Sequence, residues 1–321
     1  MAKIKTDLTG ELLKSVSRSF YLTIRALPRG LREPIGLAYL LARTSDTIAD
    51  STNASAQVRL ENLHAFRDMI ERGVEVKKLR ALRKQIVPAK IAEQRLLERT
   101  DECLDALKAS NEADRGDILE VLRIILRGQE LDLLRFSAGG KTVALASAPE
   151  LNEYTYLVAG CVGEFWTRVC FRHVRNYARL DLPKMLRLGR SFGQGLQLVN
   201  ILRDVPADLR AGRCYLPADE LAAVDLPVDE VLKYPRRARP VFEKWTNIAK
   251  QHFASARSYI EAVQSTRLRF ACIVPWAIGR RTLRLLRKNP PLETSARIKV
   301  SRREVRGILW RAIFSALSRK L

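Results

Sequence analysis

Apolar residues recur at three-to-four spacing along nearly the whole chain. Leu96, Leu97, Leu104 and Leu107 follow this pattern, as do Leu119, Leu122, Ile125 and Leu126. That period is the signature of amphipathic helices. Alternating β-branched runs are almost absent. Turn signals fall near Pro28–Gly30, Pro88, Ala138-Gly139-Gly140, Pro149, Pro183, Pro217, Pro227, Pro235, Pro240 and Asn289-Pro290-Pro291. They predict an all-α chain of about ten helices. The softest linker lies around 137–150, but apolar helices flank it, so 1–321 reads as one domain. The longest apolar run, Phe270 to Gly279, is broken by Pro275 and is far below the ~20 residues a membrane span needs. MAKIKTDLTG has charge but no apolar run behind it, which argues against a signal peptide.

The last helix has a clear start. Ser301 and Glu304 form an S-x-x-E capping box. Val305, Ile308, Leu309, Ala312, Ile313, Ala316 and Leu317 then line one predicted face. Arg302, Arg303, Arg306, Arg311, Arg319 and Lys320 surround it. Such a helix either packs on the core or lies on an anionic membrane.

Charge sharpens this picture. The 57 basic and 35 acidic residues leave +22, and residues 267–321 alone carry 15 basic against two acidic ones, a balance of +13. An anionic partner is implied: nucleic acid, an anionic membrane face or a phosphorylated substrate. No recognised nucleic-acid motif occurs, so a basic helical nucleic-acid binder is the remote alternative. The five cysteines are scattered without a CxxC, and three histidines are too few for a zinc site. Cys161, Cys170 and Cys272 sit in apolar stretches and read as core. A reducing, cytoplasmic setting follows, with the basic segment 267–321 touching the inner membrane face.

Two acidic constellations carry the candidate chemistry. Asp46 and Asp50 follow the apolar stretch 36–42 at i, i+4, on one helix face. Like charges so placed repel unless a cation joins them. Asn200, Asp204 and Asp208 repeat the spacing after the apolar run 195–199. Hard oxygen donors of this kind suit Mg²⁺, which completes its shell with water and substrate phosphate. Two such helices meeting across an apolar cavity would hold several Mg²⁺ ions around a diphosphate, with Arg203 and Arg213 on its oxygens. Pro206 predicts a kink or an end, which would take Asp208 out of register.

Five blocks in order resemble the squalene/phytoene synthase family. They are Ser17-Arg18-Ser19-Phe20; Tyr39, Arg43, Asp46 and Asp50; Tyr154 to Gly163; Gln197, Asn200, Arg203, Asp204 and Asp208; and Gly212 to Pro217. The resemblance implies an isoprenoid synthase-type helical bundle around a central apolar cavity. It implies a magnesium-dependent transferase that joins two prenyl diphosphates head to head. Asp46, Asp50, Asn200, Asp204 and Asp208 would hold the metal. Arg18, Arg43, Arg203 and Arg213 would contact diphosphate oxygens, with Ser17, Gln197 and Tyr215 in the same substrate site. Tyr154 would steer a proton or stabilise the cation. Phe20 and Tyr39 would shield the prenyl chains, and Val158, Ala159, Val162 and Gly163 would form a smooth wall for them.

The product depends on finer features. Arg267 to Trp276 is similar to the late helix of squalene synthases, in which an apolar segment ends in Pro, and Arg18 in place of Lys leans the same way. Farnesyl diphosphate, NADPH and squalene are therefore the expectation. Phytoene or dehydrosqualene, made without NADPH, is the alternative.

Overall fold

The computed structural model describes residues 8–17, 19–137, 141–294 and 298–318. Arg18, the glycine turn at 138–140 and the terminal Arg319 and Lys320 lie outside them, as does the Phe20 side chain. The fold is all-α. Fifteen α-helical segments occur among the described residues, more than the turn signals predict, because several are only one or two turns long. Among those residues β1 (Val143–Ala144) pairs with β2 (Arg213–Cys214) in parallel, and an isolated antiparallel bridge joins Ala178 to Val263.

The chain sorts into two compact units. The first holds residues 1–134 and 168–175; the second holds 135–167 and 176–321, including the basic segment 267–321.

In the first unit, α1 (Arg29–Ala49) is the central helix. Leu31, Ile35, Leu37, Leu40, Leu41 and Ile48 are buried along it. It packs on α2 (Ala56–Arg72), α3 (Ile91–Glu98) and α4 (Thr100–Lys108). Ser55 caps α2, its hydroxyl accepting from the Val58 amide at 3.3 Å. The long α5 (Glu112–Arg135) buries Ile118, Val121, Leu122, Ile125 and Leu126. Arg172 and His173 both bind Asp114, at 2.7 and 2.8 Å, and so fasten residues 168–175 to this unit.

In the second unit, α6 (Ala148–Thr155) runs through a π-helical turn, Tyr156–Gly160, into α7 (Cys161–His173). These residues cross α8 (Leu182–Arg210) at glycines. A Cβ on Gly163 would lie 1.9 Å from the Gly189 carbonyl oxygen, and one on Gly193 would lie 2.1 Å from that of Ala159. Only glycine permits backbones to approach so closely. Beyond them α8 packs on α9 (Arg239–Ala262), α9 on α10 (Thr266–Lys288), and α10 on α11 (Arg302–Ser318). Cys161, Cys170 and Cys272 are buried free thiols, as their apolar neighbours suggest, and burial pushes Cys272 up to about 12.

The expected helix end at Pro206 is corrected: Pro206 sits inside a helix that continues to Arg210, as Pro275 sits inside one that continues to Lys288. A helical proline removes one backbone bond. Buried neighbours on both sides, Leu202, Val205 and Leu209 around the first, hold the helix together. The capping box is present: the Glu304 amide donates to Ser301 Oγ at 3.2 Å, and the Ser301 amide to Glu304 Oε2 at 3.0 Å. The predicted single apolar face of α11 is not. Ile308, Ala312 and Ala316 are buried, whereas Ile313 and Leu317 are exposed.

Candidate active site

The first cluster stands on α1. Tyr39, Arg43, Asp46 and Asp50 recur every three or four residues and so share one helix face. Arg43 Nη1 lies 3.4 Å from Asp46 Oδ2, and its Nη2 donates to Glu93 at 2.5 Å. Burial opposes the Arg43 charge, yet Asp46 and Glu93 hold its pKa above the ordinary value. The Asp46 carboxyl is pushed up to about 6, chiefly by desolvation, with Asp50 adding repulsion against the pull of Arg43. Its side chain nevertheless keeps 44% of its exposure.

Sequence reasoning missed two partners here. Gln129 on α5 donates from Nε2 to Asp46 Oδ1 at 2.7 Å, and Glu93 braces Arg43. Neither has a spacing signal, because each reaches the cluster from a distant helix. Ser17 is 6% exposed and donates to the Leu13 carbonyl, a bond back to its own helix.

The second cluster stands on α8 and the segment after it. Arg203 grips Asp204 with two hydrogen bonds, 2.9 Å from Nε and 2.5 Å from Nη2. Those bonds raise the Arg203 pKa first, and the charges of Asp204 and Asp208 add to them against desolvation. The helix runs on through Pro206 to Arg210, so Asp204 and Asp208 keep their i, i+4 spacing within one helix. Arg213 Nη2 lies 3.7 Å from Asp208. Asn200 is exposed and Gln197 half-buried.

Gly212, at φ 77°, ends the helix and turns the chain into β2. The Val143 amide donates to the Gly212 carbonyl at 3.0 Å, which fixes the segment. Alternation along β2 puts Arg213 and Tyr215 on one side and Cys214 on the other. Tyr215 then stacks on Tyr154 with ring centroids 4.8 Å apart, the hydroxyls 3.4 Å apart, and meets Phe136 edge-on at 5.3 Å. Of the expected wall, Val158 and Ala159 are half-buried and Val162 is exposed. The Gly163 backbone is packed against Gly189, which makes it a helix-crossing residue.

The acids are paired with arginines in both clusters. Among the described residues, no three of His, Cys, Asp and Glu stand together as a metal cage. Pairs of carboxylates suit Mg²⁺, which draws its remaining ligands from water and phosphate. At the Asp46 end, the buried Gln129 Oε1 has no hydrogen-bond partner, so an oxygen acceptor is left over beside the carboxylate. This donor set fits the ion.

Residues 13–304 match the family described as squalene/phytoene synthase. The chain belongs to this family. It is 32% identical over 231 residues to the bifunctional lycopene cyclase/phytoene synthase of Leptosphaeria maculans, covering 71% of this chain and 37% of that protein. It is 26% identical over 274 residues to phytoene synthase 1, chloroplastic, of Arabidopsis thaliana, covering 85% of this chain and 56% of that one. The chain thus spans about a third to a half of the curated relatives it matches. Its fold resembles that of TcSQS in complex with the ligand BPH1237, with TM-score 0.78 at 19% identity, over 99% of this chain and 90% of that chain. No helix among the described residues is long and apolar enough to cross a membrane.

Proposed function

We propose that this protein condenses two prenyl diphosphates head to head. Two acid sets at helical spacing, each interlocked with arginine, carry this reading. Asp46 and Asp50, and Asn200, Asp204 and Asp208, would hold Mg²⁺, which would stabilise the charge of the departing diphosphate. Arg43, Arg203 and Arg213 are then free to exchange a carboxylate for a diphosphate oxygen. The first departure leaves an allylic cation, which the double bond of the second prenyl chain attacks. A proton is lost and a cyclopropyl diphosphate forms. Its own diphosphate then leaves and the ring rearranges. Tyr154, stacked on Tyr215, presents a ring face to a cation and a hydroxyl to a proton. Apolar side chains must keep water from that cation.

The product we assign is squalene from farnesyl diphosphate, with NADPH supplying the final hydride. The similarity of residues 267–276 to the squalene synthase late helix supports it. The curated relatives, named as phytoene synthases, favour the second reading, in which a proton is lost and NADPH is not used. Purified protein given farnesyl or geranylgeranyl diphosphate and Mg²⁺, with and without NADPH, separates the two. Squalene formed only with NADPH supports the first reading, and a conjugated triene formed without it replaces that reading with the second. Absence of any condensed product overturns both. We also infer that the protein works as a peripheral protein on an anionic membrane face, since its substrates' tails and its product are lipidic.

A further inference from the structure

The outer side of α11 is an amphipathic surface with no partner among the described residues. Ile308, Ala312 and Ala316, at i, i+4 and i+8, are buried against the protein. Trp310, Ile313, Phe314 and Leu317 follow the same helical period on the opposite side, with exposures of 66%, 41%, 66% and 66%. Single exposed apolar residues are ordinary, but four in one stripe mark a contact surface. At 100° per residue, Arg302, Arg303 and Arg306 fall on this outer side too, one to two turns upstream, and all three are exposed.

On the inner side of α11, α10 and α11 enclose a cleft of about 210 Å³ lined by Trp276, Arg280, Arg281, Arg284, Glu304 and Arg311. Arg281 is matched by Glu304 at 2.6 Å. Arg280, Arg284 and Arg311 have no carboxylate partner among the described residues. Arg280 lies 4.5 Å over the Trp276 ring. Burial, then repulsion from Arg284 and Arg257, holds its pKa below the ordinary value. That charge lies behind α11, whereas Arg302, Arg303 and Arg306 lie on the same outer side as the apolar stripe.

We propose that α11 docks the protein onto an anionic lipid bilayer, with Trp310, Ile313, Phe314 and Leu317 entering the acyl boundary and the arginines meeting lipid phosphates. An arginine-rich helix that exposes Trp, Phe and Leu has the composition of an interfacial helix. Tryptophan also favours the membrane–water boundary. A second copy of the chain suits this surface less well. Two copies packed in parallel through the stripe would bring Arg302, Arg303 and Arg306 of each toward those of the other. The proposal deepens the peripheral-membrane reading above, and is independent of the product and of catalysis.

The test is co-sedimentation of the full chain with phosphatidylcholine vesicles, with or without phosphatidylglycerol. The wild type is compared with a Trp310→Ser/Phe314→Ser/Leu317→Ser variant and an Arg302→Gln/Arg303→Gln/Arg306→Gln variant. The wild type is expected to bind the anionic vesicles. The triple variant should lose about 100-fold in partitioning, with an unchanged melting temperature because the three side chains are exposed. The arginine variant should lose binding to anionic vesicles in a salt-sensitive way. Trp310 is the only exposed tryptophan of the four, so brominated acyl chains should quench its emission. Equal binding by wild type and triple variant overturns the assignment of this face while leaving the membrane reading intact. No binding by the wild type overturns both. A wild-type dimer that the triple substitution dissolves would give the face to a second copy instead.

Discussion

Gln129 donates to Asp46 at 2.7 Å across 83 residues of sequence, so a carboxylate assigned to metal is oriented by an amide from another helix. Outer partners of this kind typically carry 10–100-fold in metal affinity or activity. Gln129→Ala should therefore raise the Mg²⁺ concentration needed for half-maximal activity by roughly 10-fold or more. Its folding should be little changed. A magnesium titration of turnover measures this directly, and an unaltered curve would remove Gln129 from the site.

The two acid sets are expected to act as one device. Asp46→Asn and Asp204→Asn should each lower turnover by orders of magnitude, roughly 10³-fold or more. Groups that act together are strongly non-additive. The double variant should be hardly worse than the worse single one. Multiplying losses would mean that the sets serve separate steps.

Asp46 also sets a pH dependence. Its carboxyl is raised from 3.8 to about 6 by burial, so the unfolded chain binds fewer protons than the folded one across that interval. Stability of the metal-free protein should therefore fall as pH rises from about 4 to about 6, and the penalty should persist above it. Asp46→Asn removes the penalty. In EDTA at neutral pH the variant should melt higher by on the order of a degree or two, a modest gain because the side chain is partly open to solvent. The gap should close near pH 4. A variant that is activity-dead yet more stable is the expected mark of a functional carboxylate.

Glu304 behaves in the opposite sense. The Ser301 amide and hydroxyl, together with Arg281, hold its carboxyl at about 2, below the usual 4.5. Its contribution to stability is complete above pH 4.5 and is lost as pH falls through about 2. Amide exchange in α11 should quicken over that interval. Glu304→Ala should produce the same faster exchange already at neutral pH, while α9 is unaffected.

The helix crossing at Gly163 and Gly189 is expected to tolerate no side chain. Gly163→Ala would drive a methyl group to 1.9 Å from a carbonyl oxygen. Backbone atoms on both sides leave little room to relax, so a loss of about 3 kcal/mol or more is expected in denaturant unfolding. Gly116→Ala, with nothing within 4 Å of its new methyl group, is the control and should be neutral or stabilising.

Much of the molecule was written locally. Helical periodicity named the fold class, the S-x-x-E box placed the start of α11, and the spacing of Asp46 with Asp50 or Asp204 with Asp208 follows from helix geometry alone. Such features depend on residues within one or two turns of each other, which is the range over which sequence dictates structure. Even so, Pro206 shows the limit of a local rule. The missing backbone bond predicts a break, and buried leucines and a valine around it outweigh that loss.

Other features were decided by packing. Nothing near Gln129 marks it as the partner of Asp46, and nothing near Glu93 marks it as the brace of Arg43. Nor does the sequence of α11 say which of its apolar residues face inward. Ile308, Ala312 and Ala316 are chosen because α10 lies against that side, which leaves Trp310 and Phe314 exposed. Those choices depend on groups tens of residues away, and only the folded chain brings such groups within reach of one another.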